Sequence, residues 1–328
     1  MCRLVTFTSS YDLDAVLGTA REAVRVASRL CMRVAAEGPA RLEKTGREPV
    51  TLADYGSQAV ILGMVAAAFP DHGVLAEEGS AHLLANGGIP AVEAVAGLVS
   101  EISETHCTAE DLVRRIDHPG GRGRPVWAID PIDGTKGFLR GDQFAVAVGI
   151  LDDGGSVAGV LGCPRLTIGG TTGVMVWGGP GLGAFVEPIG GGKPTPIGVS
   201  PIDDPAAVRV LGSVERAHGD PAVIESVVRR AGLGGGWVRI DSQAKYAAVA
   251  AGLAETYIRP RNREDWRERV WDHAAGAAIV TGAGGRVSDL DGHRLDFALG
   301  RTLDQNRGVL ATNGLVHELV LGGLGEGV

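Results

Sequence analysis

Residues 126–148 read VWAIDPIDGTKGFLRGDQFAVAV. Val126–Ile129 has the composition of a buried strand and stops on Asp130, and Phe144–Leu151 reads as a second such strand. Between them a second carboxylate, Asp133, follows three residues after the first, and Gly134 and Thr135 come next. Pro131 lacks an amide hydrogen and fixes φ, so the link between the two acids is stiff. Carboxylates held this way can share one hard cation or bind two neighbouring ones, since Mg²⁺ takes oxygen ligands at about 2.0–2.1 Å. Gly134 lets a ligand approach the backbone, Thr135 adds a hydroxyl, and a helix starting near 134 would turn free amides towards a bound phosphate. These parts suit metal-assisted phosphoryl hydrolysis. Asp, Pro and Gly are also ordinary turn residues, so a capped turn is the simpler local reading.

The flanking sequence supplies further acids at element ends. Residues 11–37 place Leu13, Val16, Val24, Ala27 and Leu30 at helical spacing. A second helix is expected over 53–68, capped by Thr51 or Asp54 and stopped before Phe69-Pro70. Val74-Leu75-Ala76 reads as a short strand running into Glu77-Glu78, where a solvated loop start is the plain alternative. Helical pieces are expected at 91–104 and 108–116 within an irregular segment, and a meander after 151 to about 200. The Gly/Pro-rich GGPGLG and IGGGKPTPIG are the best candidates for a boundary, dividing 1–200 from 201–328. Strands at 208–212, 237–240 and 256–258 alternate with helices at 221–231 and 243–254, an α/β pattern. A helix over 272–281 ends at GAGG, with Asp272 as a candidate cap and His273 as a hydrogen-bonded core residue.

Composition narrows the classes. Of the 328 residues, 45% are hydrophobic and 21% charged, as in ordinary globular chains. The formal charge of −8 disfavours nucleic acid and anionic membranes as partners, and no apolar run approaches the roughly 18 residues that span a bilayer. Any anionic substrate then needs a local cation, either basic side chains or metal. Four scattered cysteines (2, 31, 107 and 163) form no C-x-x-C pair, which fits a reducing compartment and a cytoplasmic location.

Four blocks in order, PVTLADYGSQ, FPDHGVLAEE, WAIDPIDGTKGFLRGDQFAVAVGIL and WDHAAGAAIVTGAGG, resemble the inositol monophosphatase superfamily of magnesium-dependent, lithium-sensitive phosphatases. Within it, Lys136–Gly141, DSQAKY at 241–246 and LDF-x-x-GRTL at 295–303 look like the eukaryotic-type 3'(2'),5'-bisphosphate nucleotidases. The resemblance spans about 11–320 and is weakest over 79–118 and 165–200. It implies a layered α/β and α+β sandwich with the site in the groove between the two parts.

By the same resemblance, two or three Mg²⁺ ions gather at the acids. Glu77, Asp130 and the carbonyl of Ile132 would hold one, Asp130, Asp133 and Asp272 a second, and Asp54 with Glu77 a third. Thr135 and Asp54 would orient the attacking water for direct in-line hydrolysis of a phosphomonoester. Gly134 and Thr135 would face the scissile phosphate. Ser242, Lys245 and Arg259 would sit near a second phosphate and the nucleoside, with Glu215 and His218 beside the base. Lys245 on an otherwise apolar helix can also be read as a surface lysine, and Arg259 in RPRNRED as a solvated loop charge. EKTGREPVT departs from the family at Gly46 and Glu48 while keeping Lys44. The implied reaction removes the 3'-phosphate of adenosine 3',5'-bisphosphate, and acts on the 5'-phosphosulfate analogue as well. An inositol polyphosphate 1-phosphatase is the nearest rival, and a non-catalytic nucleotide sensor the rival from another class.

Overall fold

The computed structural model of the chain describes residues 11–38, 41–43, 49–214, 221–261, 266–298 and 300–325. Helix α1 (Leu13–Glu37) starts where the Asp12 carboxylate accepts the amides of Asp14 and Ala15 at 3.0 and 3.2 Å. An antiparallel pair, β1 (Arg41–Glu43) and β2 (Pro49–Thr51), leads into α2 (Leu52–Ala68). Then come β3 (His72–Ala76), α3 (Ser80–Ser103), α4 (Ala109–Ile116), β4 (Gly123–Asp133) and α5 (Thr135–Arg140). The meander follows as β5 (Ala145–Asp152), β6 (Gly155–Ile168), β7 (Thr171–Gly179), β8 (Gly183–Pro188) and β9 (Thr195–Ile197). Strands β3 to β9 form one seven-stranded sheet in chain order. Its β3–β4 pair is parallel and the rest antiparallel.

The second sheet is built from β10 (Val210–Gly212), β11 (Trp237–Arg239), β12 (Thr256–Arg259), β13 (Arg286–Ser288) and β14 (Val309–Thr312), in the order β11-β10-β12-β14-β13. Helices α6 (Pro221–Arg230), α7 (Ala244–Ala250), α8 (Ala274–Gly282) and α9 (His317–Leu324) complete the chain. Three apolar cores define five layers. The first joins α1, α2 and α3 to one face of the large sheet, the second places α7 and α8 between the two sheets, and the third lies under α6 and α9. Helix α8 rests directly on the large sheet because Gly149 and Gly159 leave room. A Cβ at Gly149 would stand 2.5 Å from the Cβ of Ala274, and one at Gly159 would stand 2.3 Å from the Ala275 carbonyl. That contact carries Asp272, just before α8, to the ends of β4 and β5.

Several expectations change. The strand read at 126–129 continues through both aspartates to Asp133. GGPGLG is the β7–β8 turn within one sheet, not a boundary; the large sheet ends at β9 and the second begins at β10. The helical piece expected at 91–104 is present as the second part of α3; a first part runs from Ser80, and Gly88, at φ 63° and ψ −168°, separates the two just before Pro90. At 24 residues α3 is also long and apolar enough to cross a membrane by length and composition, contrary to the reading of the sequence. It instead packs Leu83, Val92, Val95 and Val99 into the first core. The helix expected over 243–254 ends at Ala250, before Gly252 at φ 69°.

Candidate active site

The site is assembled where β3 and β4 end side by side. Their parallel register pairs Ala76 with Ile129, and the Glu77 amide continues the ladder to the Ile129 carbonyl at 3.2 Å. Glu77 and Asp130 are therefore neighbours on adjacent strand ends. The β4–β5 register slips between Asp130 and Asp133, a bulge of the kind that re-aims side chains at strand ends. Ser57 in α2 pins the bulge by donating to the Pro131 carbonyl at 2.9 Å, and Thr135 donates to the Ile132 carbonyl at 3.1 Å.

Asp54 has two jobs. Its Oδ2 accepts the Thr51 amide at 2.7 Å and the Thr51 hydroxyl at 2.8 Å, closing a capping box at the start of α2. Its Oδ1 faces the Thr135 hydroxyl at 3.4 Å. The cap read from the sequence thus also fixes a carboxylate against the DPIDGT loop. Gly134 is in the left-handed region at φ 85°, and a Cβ there would meet the Cβ of Ser242 at 2.9 Å. No other residue fits that contact without displacing the DSQAKY turn. Ser242 is itself at φ 67°, a strained setting for a non-glycine residue. The next amide, Gln243 N–H, donates to Asp133 Oδ2 at 3.0 Å. This bond ties the second half of the chain to the first through a residue the sequence did not single out.

Lys245 is buried at 3% exposure, so the surface reading of this residue fails. Its ammonium donates to the Ser213 hydroxyl and the Ile240 carbonyl, each at 3.2 Å, and lies 5.1 Å from the Tyr257 ring centroid. Burial lowers its pKa to about 8 against the opposing pull of Asp133. Arg259 at the end of β12 is an ordered ion-pair partner and not a loop charge: its Nη2 lies 2.8 Å from Glu268 and 3.3 Å from Asp272. Glu268 also accepts from His273 Nε2 at 3.1 Å, and His273 Nδ1 meets the Tyr246 hydroxyl at 2.7 Å. His273 is thus a bonded core residue, as expected. Burial alone would raise Glu268; the facing Arg259 outweighs it and holds the carboxyl at about 2. Glu268, in WRERVWD, was not singled out by the sequence analysis, since no local pattern there marks a buried acid. Glu215 and His218 lie outside the described residues, as do Lys44, Gly46 and Glu48.

Burial, and then the charges of Glu77, Asp133, Asp272 and Asp54, push Asp130 well above the usual carboxylate range. Burial likewise raises Asp133 and Asp272, with Arg259 opposing both. Two carboxylates about 5 Å apart repel by about 3 kcal/mol at an effective dielectric near 20, and Asp130 feels four. Its Oδ1 is buried without a hydrogen-bond partner. An all-oxygen set with an unpartnered inner atom fits a hard divalent cation. Among the described residues, the tight groupings of ligand-type atoms within 4.8 Å are Glu268–Asp272–His273, which shares Asp272 with the site, and Asp289–Asp291–His293, which shares none of its acids. The first is already satisfied by Arg259 and Tyr246, and the second by Arg307 and loop amides.

Comparison with known proteins matches residues 12–326 to the inositol monophosphatase family. The chain belongs to that family. It is 39% identical to a 3'(2'),5'-bisphosphate nucleotidase of Oryza sativa, over 91% of this chain and 90% of that protein. A 3'(2'),5'-bisphosphate nucleotidase of Schizosaccharomyces pombe is 33% identical over 95% of each chain. Among solved structures, an IMPase of Thermotoga maritima superposes with a TM-score of 0.67 at 22% identity, covering 94% of this chain and 96% of that one. This last likeness concerns the fold. As a member of the inositol monophosphatase family the chain is a phosphatase of a metal-dependent class, and its clustered acids are groups that can hold metal.

Proposed function

We propose that the chain is a magnesium-dependent 3'(2'),5'-bisphosphate nucleotidase that hydrolyses adenosine 3',5'-bisphosphate to AMP and accepts the 5'-phosphosulfate analogue. The observation that carries the chemistry is the buried, unpartnered Oδ1 of Asp130 among Glu77, Asp133, Asp272 and Asp54. The name shared by relatives that match nearly the whole chain supports the nucleotide as substrate. In this reading Glu77, Asp130, Asp133, Asp272, the Ile132 carbonyl and Asp54 are the ligands of two or three Mg²⁺ ions. When bound, magnesium would offset the acids' charge and acidify a water molecule for attack on phosphorus.

The chain's own groups do the rest. Asp54 Oδ1 and the Thr135 hydroxyl, 3.4 Å apart, orient the water and take up its proton. Gly134, packed against Ser242 where a side chain would not fit, brings the loop backbone to the scissile phosphate. Ser242, Lys245 and Arg259 bind the second phosphate; Lys245 is a buried cation and Arg259 a half-buried one, and their charge-assisted bonds are stronger than neutral ones. Glu215 and His218, outside the described residues, are assigned to the base by the family resemblance alone. Three free, buried cysteines, Cys31, Cys107 and Cys163, support a reducing, cytoplasmic setting.

The test is phosphate release by the purified protein with magnesium from adenosine 3',5'-bisphosphate and inositol 1,4-bisphosphate side by side. Preference for the nucleotide, with inhibition by lithium, is expected. Preference for the inositol would overturn the substrate assignment and keep the metal chemistry, and no release from either would leave a nucleotide sensor.

A further inference from the structure

Glu268 holds neither metal nor substrate in the reading above, yet it is only 2% exposed and tightly bound. Its Oε2 meets Arg259 Nη2 at 2.8 Å and accepts from His273 Nε2 at 3.1 Å, and the His273 ring is fixed in turn by the Tyr246 hydroxyl at 2.7 Å. The backbone beneath it is held by the GRTL stretch. The Leu303 amide donates to the Glu268 carbonyl at 2.9 Å, the Val270 amide donates to the Arg301 carbonyl at 3.1 Å, and Arg269 and Thr302 form an antiparallel bridge. Arg301 extends the brace to the metal side: its guanidinium lies 4.4 Å from the Trp271 ring centroid and donates to the Ala76 carbonyl at 2.8 Å. A buried ion pair is seldom a gain over apolar packing, so one held this firmly asks for a use.

The use follows from the geometry of Arg259. The same Nη2 that meets Glu268 at 2.8 Å stands 3.3 Å from Asp272 Oδ2. Two carboxylates are therefore within reach of one guanidinium, and Asp272 is the one a metal needs. A guanidinium paired with Asp272 competes with a cation for the same oxygens and repels it. Paired with Glu268 it leaves Asp272 to the cation, and its further N–H groups remain for an anion. We propose that Glu268 is a positioning residue that holds Arg259 off Asp272, so that one carboxylate serves the arginine and the other the metal. The assignment rests on the reading above, in which Asp272 is a magnesium ligand and Arg259 a contact to the second phosphate. It adds a coupling between the two, because the guanidinium that Glu268 retains is the one the nucleotide uses.

The experiment follows melting temperature across a magnesium titration without nucleotide, beside KM and kcat for adenosine 3',5'-bisphosphate. It compares wild type, Glu268→Gln, Arg259→Met and the double variant. Glu268→Gln keeps the shape and an acceptor for His273 and removes the charge that draws Arg259 from Asp272. The magnesium concentration giving half the thermal gain is expected to rise roughly tenfold, the scale on which groups behind metal ligands act, and KM to rise with it. Adding Arg259→Met should return that midpoint to the wild-type value or below while KM stays high, because the competitor and the phosphate contact are lost together. A purely structural Glu268 would lower every melting temperature alike and leave the midpoint in place. That result, or a double variant whose midpoint stays raised, would overturn the positioning role. If Glu268→Gln does not fold, Arg259→Met alone decides: a midpoint at lower magnesium supports the competition, and an unmoved one overturns it. A wild type whose melting temperature ignores magnesium would instead overturn the metal reading, and the role of Glu268 with it.

Discussion

Asp130 and Asp133 differ in their surroundings although they share one bulge. Asp130 has a buried oxygen without a partner, whereas Asp133 accepts the Gln243 amide. Asp133→Asn keeps that acceptor and removes one charge from the cluster. It should lower turnover by more than about a hundredfold, since groups that only orient metal ligands are worth about that much. The thermal midpoint without metal should not fall, because repulsion is relieved. Activity assays beside melting curves check both, and wild-type-like turnover would remove Asp133 from the site. Lys245 gives a pH signature. Its pKa is lowered to about 8, first by burial, so the ammonium proposed to face the second phosphate is lost as pH rises through that value. KM for the bisphosphate should climb across this window in the wild type and stay flat in Lys245→Met.

At the level of elements, α2 links stability to chemistry through one carboxylate. Thr51→Ala breaks the capping box and should cost about 1 kcal/mol. Because Asp54 also faces Thr135, activity should fall too; a stability loss with unaltered kcat would separate the cap from the site. The elements also show what was legible in the chain. Strand ends that run into DPID and the helix start at TLAD carry local signals, and the helix before GAGG stops at its glycines. Gln243 to Asp133 and Ser57 to the Pro131 carbonyl join residues 110 and 74 positions apart, and no local pattern encodes them. Gly88 does break α3, as the helical piece expected from 91 implies, and what the sequence did not show is the helical piece that precedes it from Ser80. The acids of the site were readable as a set only because the blocks recur in one order. Taken singly, Asp54, Glu77 and Asp272 match ordinary caps and loop starts.

Across the whole molecule, two sheets and the α7–α8 layer bring carboxylates from four separated stretches together, at a cost that metal should offset. Asp130, Asp133 and Asp272 all have folded pKa values raised above the unfolded range. A carboxylate shifted this way binds more protons in the native state, so stability falls as pH rises from the unfolded value, about 4, through the folded one. Bound magnesium cancels that loss by stabilising the native state alone. The gain in melting temperature from magnesium should therefore grow between pH 5 and pH 7.5, read by parallel melts with magnesium and with a chelator. A gain independent of pH would place the cation away from these acids. The most direct test of the central claim is phosphorus NMR of the reaction with adenosine 3',5'-bisphosphate. The account predicts inorganic phosphate and AMP that retains its 5'-phosphate, formed only with a divalent cation; release of the 5'-phosphate, or hydrolysis unaffected by chelator, would contradict it.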